Sequence, residues 1–100
     1  MASGWVGILS VELHFPEAHS LKEKRMSVRS AREQLRNRFG AAVAEVDHHD
    51  VWQRTRLTVA VVTREAGEAQ RLLADAERYL ASREWELGRL ERELVTLDDE

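Results

Sequence analysis

The chain contains no cysteine, which removes disulfides, thiol catalysis and thiolate-held metals in one stroke. It has a single proline, Pro16, and its five glycines are scattered. Nothing matches the glycine-rich loops that cradle nucleotide phosphates, so nucleotide chemistry of that kind is excluded. No apolar run approaches the roughly 20 residues that span a bilayer. The opening Met1-Ala-Ser-Gly-Trp-Val lacks the positive patch and long apolar core of a secretory signal. We therefore expect a cytoplasmic protein with no membrane partner. Internal repeats, low-complexity tracts and linkers are also missing.

What is present is an ordinary globular balance, with 43% apolar and 33% charged residues over 100 positions. That length supports one two-layer core. We expect a single domain over 1–97 and an acidic tail at 98–100. The net charge is −3, but it is unevenly spread. Residues 19–39 hold seven Lys/Arg against two Glu, whereas residues 64–100 hold six Arg against eleven Asp/Glu. Such polarity can steer an anionic partner to one side of a molecule, or let two copies meet head to tail.

Hydrophobic periodicity assigns the elements. From Trp5 to Phe15 the chain alternates. Trp5, Gly7, Leu9, Val11, Leu13 and Phe15 share one face, while Val6, Ile8, Ser10, Glu12 and His14 share the other, which is a strand. Ser20 followed by Glu23 is a capping box, opening a helix whose apolar stripe is Leu21, Val28, Ala31, Leu35 and Phe39 and whose end is Gly40. Ala41–Asp47 reads as a second strand. Asp47-His48-His49-Asp50 reads as a turn, and Leu57–Val62 as a third strand that could begin at Trp52. Thr63 is the expected cap of a second helix carrying Ala69, Leu72, Leu73, Ala76 and Leu80 inward. In the last segment two periodicities compete. Leu87, Leu90, Leu94 and Leu97 fit a helix, while Trp85 and Leu87 alternate. A strand over about Trp85–Glu93 is preferred, because a three-stranded sheet would leave one edge of the first strand bare. The order βαββαβ predicts an α+β, ferredoxin-like domain, a four-stranded antiparallel sheet with two helices on one face.

Arg25, Arg29, Arg32 and Arg36 are spaced by four, three and four residues, so they stack along one helix face. Only Glu23 and Glu33 lie on that helix to neutralise them. The plain alternative is a solvated helix exterior. The open sheet face is expected to carry Trp52, Arg54, Arg56, Thr58, Ala60 and Val62 beside Val6, Ile8, Ser10, Glu12 and His14. Its central strands lack the aromatics on which an RNA-recognition sheet stacks bases. Val6, Ile8, Ala60 and Val62 suit a second copy of the chain better, as a dimer face. The adjacent His48 and His49 have no ligand-like spacing, so no metal or cofactor is expected. A dimer cleft gathering His14, His19 and His48 from two chains stays open as an enzymatic alternative.

Two blocks, His19-Ser-Leu-Lys-Glu-Lys-Arg25 and Ala44-Glu-Val-Asp-His-His-Asp-Val-Trp-Gln-Arg54, the second followed by Thr58-Val-Ala-Val-Val62, resemble the YlxP-like bacterial family, a domain of unknown function. The resemblance covers about residues 5–80. It implies a small cytoplasmic ferredoxin-like protein without an assigned enzymatic activity, often encoded among genes for translation and ribosome maturation. It directs attention to His19, Lys22, Lys24, Arg25, Trp52 and Arg54.

Together these readings lead us to expect a non-catalytic homodimer. Its anion surface would be His19, Lys22, Lys24, Arg25, Arg29, Arg32, Arg36, Trp52 and Arg54, meeting structured RNA or the ribosome. The alternative is a homodimeric protein–protein interaction module built on the open sheet.

Overall fold

A computed structural model describes residues 3–97; the acidic tail expected at 98–100 lies outside them. The elements are β1 (Trp5–His14), α1 (Leu21–Phe39), β2 (Ala42–Asp47), β3 (Arg54–Thr63), α2 (Ala66–Ala81) and β4 (Glu86–Thr96). The strands form one sheet in the order β2-β3-β1-β4, and each neighbouring pair is antiparallel. This is the expected ferredoxin-like α+β arrangement.

The two central strands supply the sheet's half of the core. Leu9, Val11 and Leu13 from β1 and Leu57, Val59 and Val61 from β3 are buried. The helices close over them with Val28, Ala31 and Leu35 from α1 and Ala69, Leu73, Ala76 and Leu80 from α2. Each large aliphatic side chain removed from water contributes about 1.5–3 kcal/mol. Gly7 sits under α2, where an added Cβ would come within 3.0 Å of Leu73 Cδ1. A larger residue there would have to push that leucine aside by a few tenths of an ångström.

The last segment is a strand, running from Glu86 to Thr96 along the free edge of β1. Its helix-like leucine spacing comes from a bulge. Val11 pairs with Leu90 and Leu13 with Leu87, so β4 advances three residues while β1 advances two. The extra residue brings Leu87 and Leu90 to the same face, where with Leu94 they pack against the core. Edge pairing outweighs the periodicity.

Two boundaries differ from expectation. Thr63 is not the cap of α2: it ends β3 opposite Trp5 and is buried. Its hydroxyl donates to the Glu65 carbonyl oxygen at 2.7 Å, and the helix begins at Ala66 after Glu65. Trp52 lies in the turn before β3 rather than in the strand.

Candidate anion-binding surface

The ends of α1 fix which way its side chains face. Ser20 Oγ accepts from the Glu23 amide at 3.2 Å, and Glu23 Oε1 accepts from the His19 amide at 3.2 Å. At the other end Gly40 is left-handed at φ 63° and its amide donates to the Arg36 carbonyl at 3.0 Å. This is the orientation only glycine adopts without cost. Between these caps the inward positions are Lys24, Val28, Ala31 and Leu35.

Lys24 departs from the expected surface role. It occupies the place in the apolar stripe between Leu21 and Val28, and only 1% of it is exposed. Its ammonium donates to His48 O at 2.6 Å and His49 O at 3.2 Å, and pairs with Glu45 Oε2 at 2.7 Å. All three ammonium donors are thereby used. Glu45 points to the helix side of β2 and also accepts from the hydroxyl of buried Thr55. Burial pushes the Glu45 carboxyl up, but hydrogen bonds from Lys24 and Thr55 and the ammonium charge outweigh it, leaving the group below its ordinary value. Lys24 therefore anchors the β2–β3 turn to α1 and is not available to a ligand. The same turn holds His48 at φ 63°, with Asp47 Oδ1 accepting from the His48 amide at 2.8 Å.

The arginines turn the other way. Arg25, Arg29 and Arg36 are exposed and Arg32 is half-buried. Among the described residues none of the four forms an ion pair. All four line one groove of about 390 Å³, with Val28 at its floor and Glu33 and Glu45 beside it. Glu45 is already committed to Lys24. Arg32 Nε is buried without a hydrogen-bond partner. Lys22, Arg25, Met26 and Arg29 line an adjoining hollow of about 230 Å³. His19 is exposed just ahead of the cap.

Trp52 and Arg54 do not extend this groove along the helix. Arg54 stands on the sheet face away from the helices, where its Nη2 lies 2.9 Å from His48 Nε2 and 3.8 Å from Glu12 Oε2. The hydrogen bond with His48 holds the Glu12 carboxyl below its ordinary value, reinforced by the charges of Arg54 and Arg56 and opposed by burial. Arg56 bonds Ser10 Oγ at 3.1 Å and Glu91 Oε1 at 2.9 Å. This half of the open face is a closed network of its own charges. The other half is mostly apolar: Val6 pairs with Val62 and Ile8 with Ala60, Val95 flanks Val6 while Glu93 flanks Ile8, and Val62 is 78% exposed.

A model of a protein family of unknown function, DUF503, matches residues 6–93. The chain belongs to the DUF503 family. Among its relatives is the uncharacterized protein YlxP of Bacillus subtilis (strain 168), 31% identical over 90 residues, covering 80% of this chain and 98% of that protein. This bears out the resemblance read from the His19 and Ala44 blocks. Two solved structures are more distant. The de novo designed protein Ferredog-Diesel is 17% identical with a TM-score of 0.46, over 86% of this chain and 83% of that one. The Bacillus subtilis YXEP protein, a dinuclear metal binding peptidase from the M20 family, is 12% identical with a TM-score of 0.43, over 93% of this chain and 26% of that one. Neither likeness carries an argument about function, and the fold of this DUF503 chain rests on its own strand order. Among its described residues no three His, Asp or Glu side chains are grouped to hold a metal. Among the same residues no helix is long and apolar enough to cross a membrane.

Sequence reasoning missed Glu45 as the partner of Lys24, and Thr55 as the donor that supports Glu45. The signal was there. Lys24 breaks the apolar stripe of α1, and Glu45 breaks the inward face of β2 next to Val43. Two opposite charges at inward positions of neighbouring elements are the pattern of a buried pair.

Proposed function

We propose that this protein binds the sugar–phosphate backbone of structured RNA, on the ribosome or one of its precursors, through the arginine face of α1. The observation that carries the reading is the groove itself. Four guanidinium groups line it, and among the described residues none forms an ion pair with a carboxylate. From Arg25 to Arg36 the row extends about 16 Å along the helix axis, which suits a succession of phosphates better than one small anion. Arginine's planar fork pairs with phosphate oxygens in bidentate fashion. Recognition is by backbone charge and shape, in line with an open sheet that offers no aromatic platform. The translational setting implied by the family resemblance points the same way.

The test is fluorescence anisotropy with a labelled RNA hairpin at several salt concentrations. Four phosphate contacts predict a loss of affinity of about a hundredfold between 50 and 200 mM monovalent salt. The R25Q/R29Q/R32Q/R36Q variant loses both the binding and the salt dependence. Undiminished binding by that variant would reject the reading.

A second reading concerns the opposite face. The apolar half of the sheet, with Val62 78% exposed, favours a homodimer formed sheet to sheet through Val6, Ile8, Ala60 and Val62. Sedimentation of the wild type as a dimer and of Val62→Lys as a monomer is the expected result.

A further inference from the structure

The other flank of α1 holds a second concavity, of about 310 Å³, where the β1–α1 connection meets the α2–β4 connection. Its floor is aromatic. Phe15 is pinned where β1 ends, its amide donating to the Gln53 carbonyl at 2.9 Å. Trp85 meets it edge-on with ring centroids 5.6 Å apart. Both rings are more than nine-tenths buried. Space remains above them because Ser27 and Ser30, three apart on the helix and therefore on one face, are too small to fill it. Met26, 63% exposed, stands at the mouth.

The rim is acidic. Glu17, Glu23 and Glu84 line the cleft, and none of them forms an ion pair among the described residues. Arg83, the lining cation, is drawn over the Trp85 ring with its guanidinium carbon 5.8 Å from the centroid, and over Tyr79 at the same distance. The chain thus already places one guanidinium against this aromatic floor, and three carboxylates against one arginine leave the rim with surplus negative charge. Trp85 Nε1 is buried with no acceptor among the described residues.

We infer that this cleft binds a lysine or arginine side chain from an extended segment of a partner protein. The aliphatic stem lies on Met26 and the aromatic floor, and the cation reaches Glu17 and Glu84. Cations held over tryptophan are stabilised by the ring quadrupole, and unpaired carboxylates at the mouth add attraction that salt weakens. Nucleic acid and acidic peptides are repelled by the same rim. A purely apolar ligand would desolvate carboxylates without pairing them. The cleft shares no lining residue with the arginine groove on the other flank of α1, and it meets the smaller hollow beside that groove only at Met26.

The experiment isolates Trp85. Of the three tryptophans, Trp5 and Trp52 are changed to Phe, leaving Trp85 as the reporter. The folded W5F/W52F protein is titrated with acetyl-Leu-Arg-Leu-amide and with the same peptide carrying citrulline in place of arginine. The expected result is a saturable change in Trp85 emission with the arginine peptide, about fivefold weaker with citrulline, weaker in salt, and about fivefold weaker in an added E17Q/E84Q background. Ser27→Leu, which fills the cleft from a helix position that accepts leucine, abolishes it while leaving RNA binding by the arginine face intact. Should W5F/W52F melt early, the indole N–H resonance of Trp85 in the wild-type protein serves as the reporter. No saturable response up to millimolar peptide overturns the inference. So does equal binding of the two peptides, or indifference to E17Q/E84Q.

Discussion

Lys24 and Arg25 are neighbours in sequence, alike in charge, and opposite in fate. Lys24 is sealed between α1 and the β2–β3 turn with every ammonium donor used. Arg25 heads a row of guanidinium groups that form no ion pair among the described residues. The difference is 100° of helix turn. A basic residue on the inward stripe becomes structure, because a buried charge persists only when paired and hydrogen-bonded. On the outward stripe it stays hydrated and free to meet a ligand. Basic composition alone therefore says little about function, and helical phase says much.

The strongest way to break this contrast is to remove the inward charge. Lys24→Met keeps the stem's volume but leaves Glu45 without its ammonium and the His48 and His49 carbonyls without their donor. The expected cost is about 3–5 kcal/mol in urea unfolding, the usual penalty for breaking one half of a buried pair. Adding Glu45→Leu should recover much of it, since a well-packed apolar pair often replaces a buried ion pair at little cost. A Lys24→Met protein as stable as wild type would mean that the pair holds nothing together.

A smaller effect comes from protons. The carboxyls of Glu45 and Glu12 are both held below their ordinary value of 4.5 in the folded chain. A carboxyl depressed by folding contributes stability that is complete above its unfolded value and is lost as pH falls through the folded one. Stability should thus be flat with respect to these two groups from neutral pH down to about 5, then fall on acidification through the unfolded value of 4.5 and below. In Glu45→Gln that acid-dependent loss should be shallower. An unchanged slope between pH 5 and pH 3 would show that Lys24 does not stabilise the ionised carboxylate.

The fold was legible because its signals agree. Alternation along β1, the Ser20–Glu23 cap and Gly40 each name an element, and the order of elements limits the topology. The arginine row was legible for the same reason, since cap and glycine set the helical phase. Two features were not. A bulge gives β4 the 3–4 leucine spacing of a helix, and local periodicity cannot reveal an irregularity created by pairing with a strand some eighty residues earlier. Lys24 was misplaced for a related reason. Its membership of the basic block hid its membership of the apolar stripe, and its partner Glu45 lies on another element, so the pair exists only in three dimensions. Arg54 and Trp52 were grouped with the helix residues through the family resemblance, although strand alternation had already put Arg54 on the open sheet face, where the structure has it, and Trp52 lies in the turn before β3.

The smallest effect sharpens the contrast most. Like charges three and four apart on a helix repel by a few tenths of a kcal/mol per pair, and Arg25, Arg29, Arg32 and Arg36 contain three such pairs. R25Q/R29Q/R32Q/R36Q should therefore be as stable as wild type or more stable by up to about 1 kcal/mol, less the attraction of Arg29 and Arg36 to Glu33 one turn away and whatever the half-buried Arg32 stem contributes by packing. Added salt should stabilise the wild type relative to this variant by screening that repulsion. Parallel urea curves at low and high salt measure both. A clear loss of stability in the variant would mean that the arginines hold the fold, as Lys24 does. A row that adds nothing to stability and forms no ion pair among the described residues is what a surface kept for an anionic partner requires.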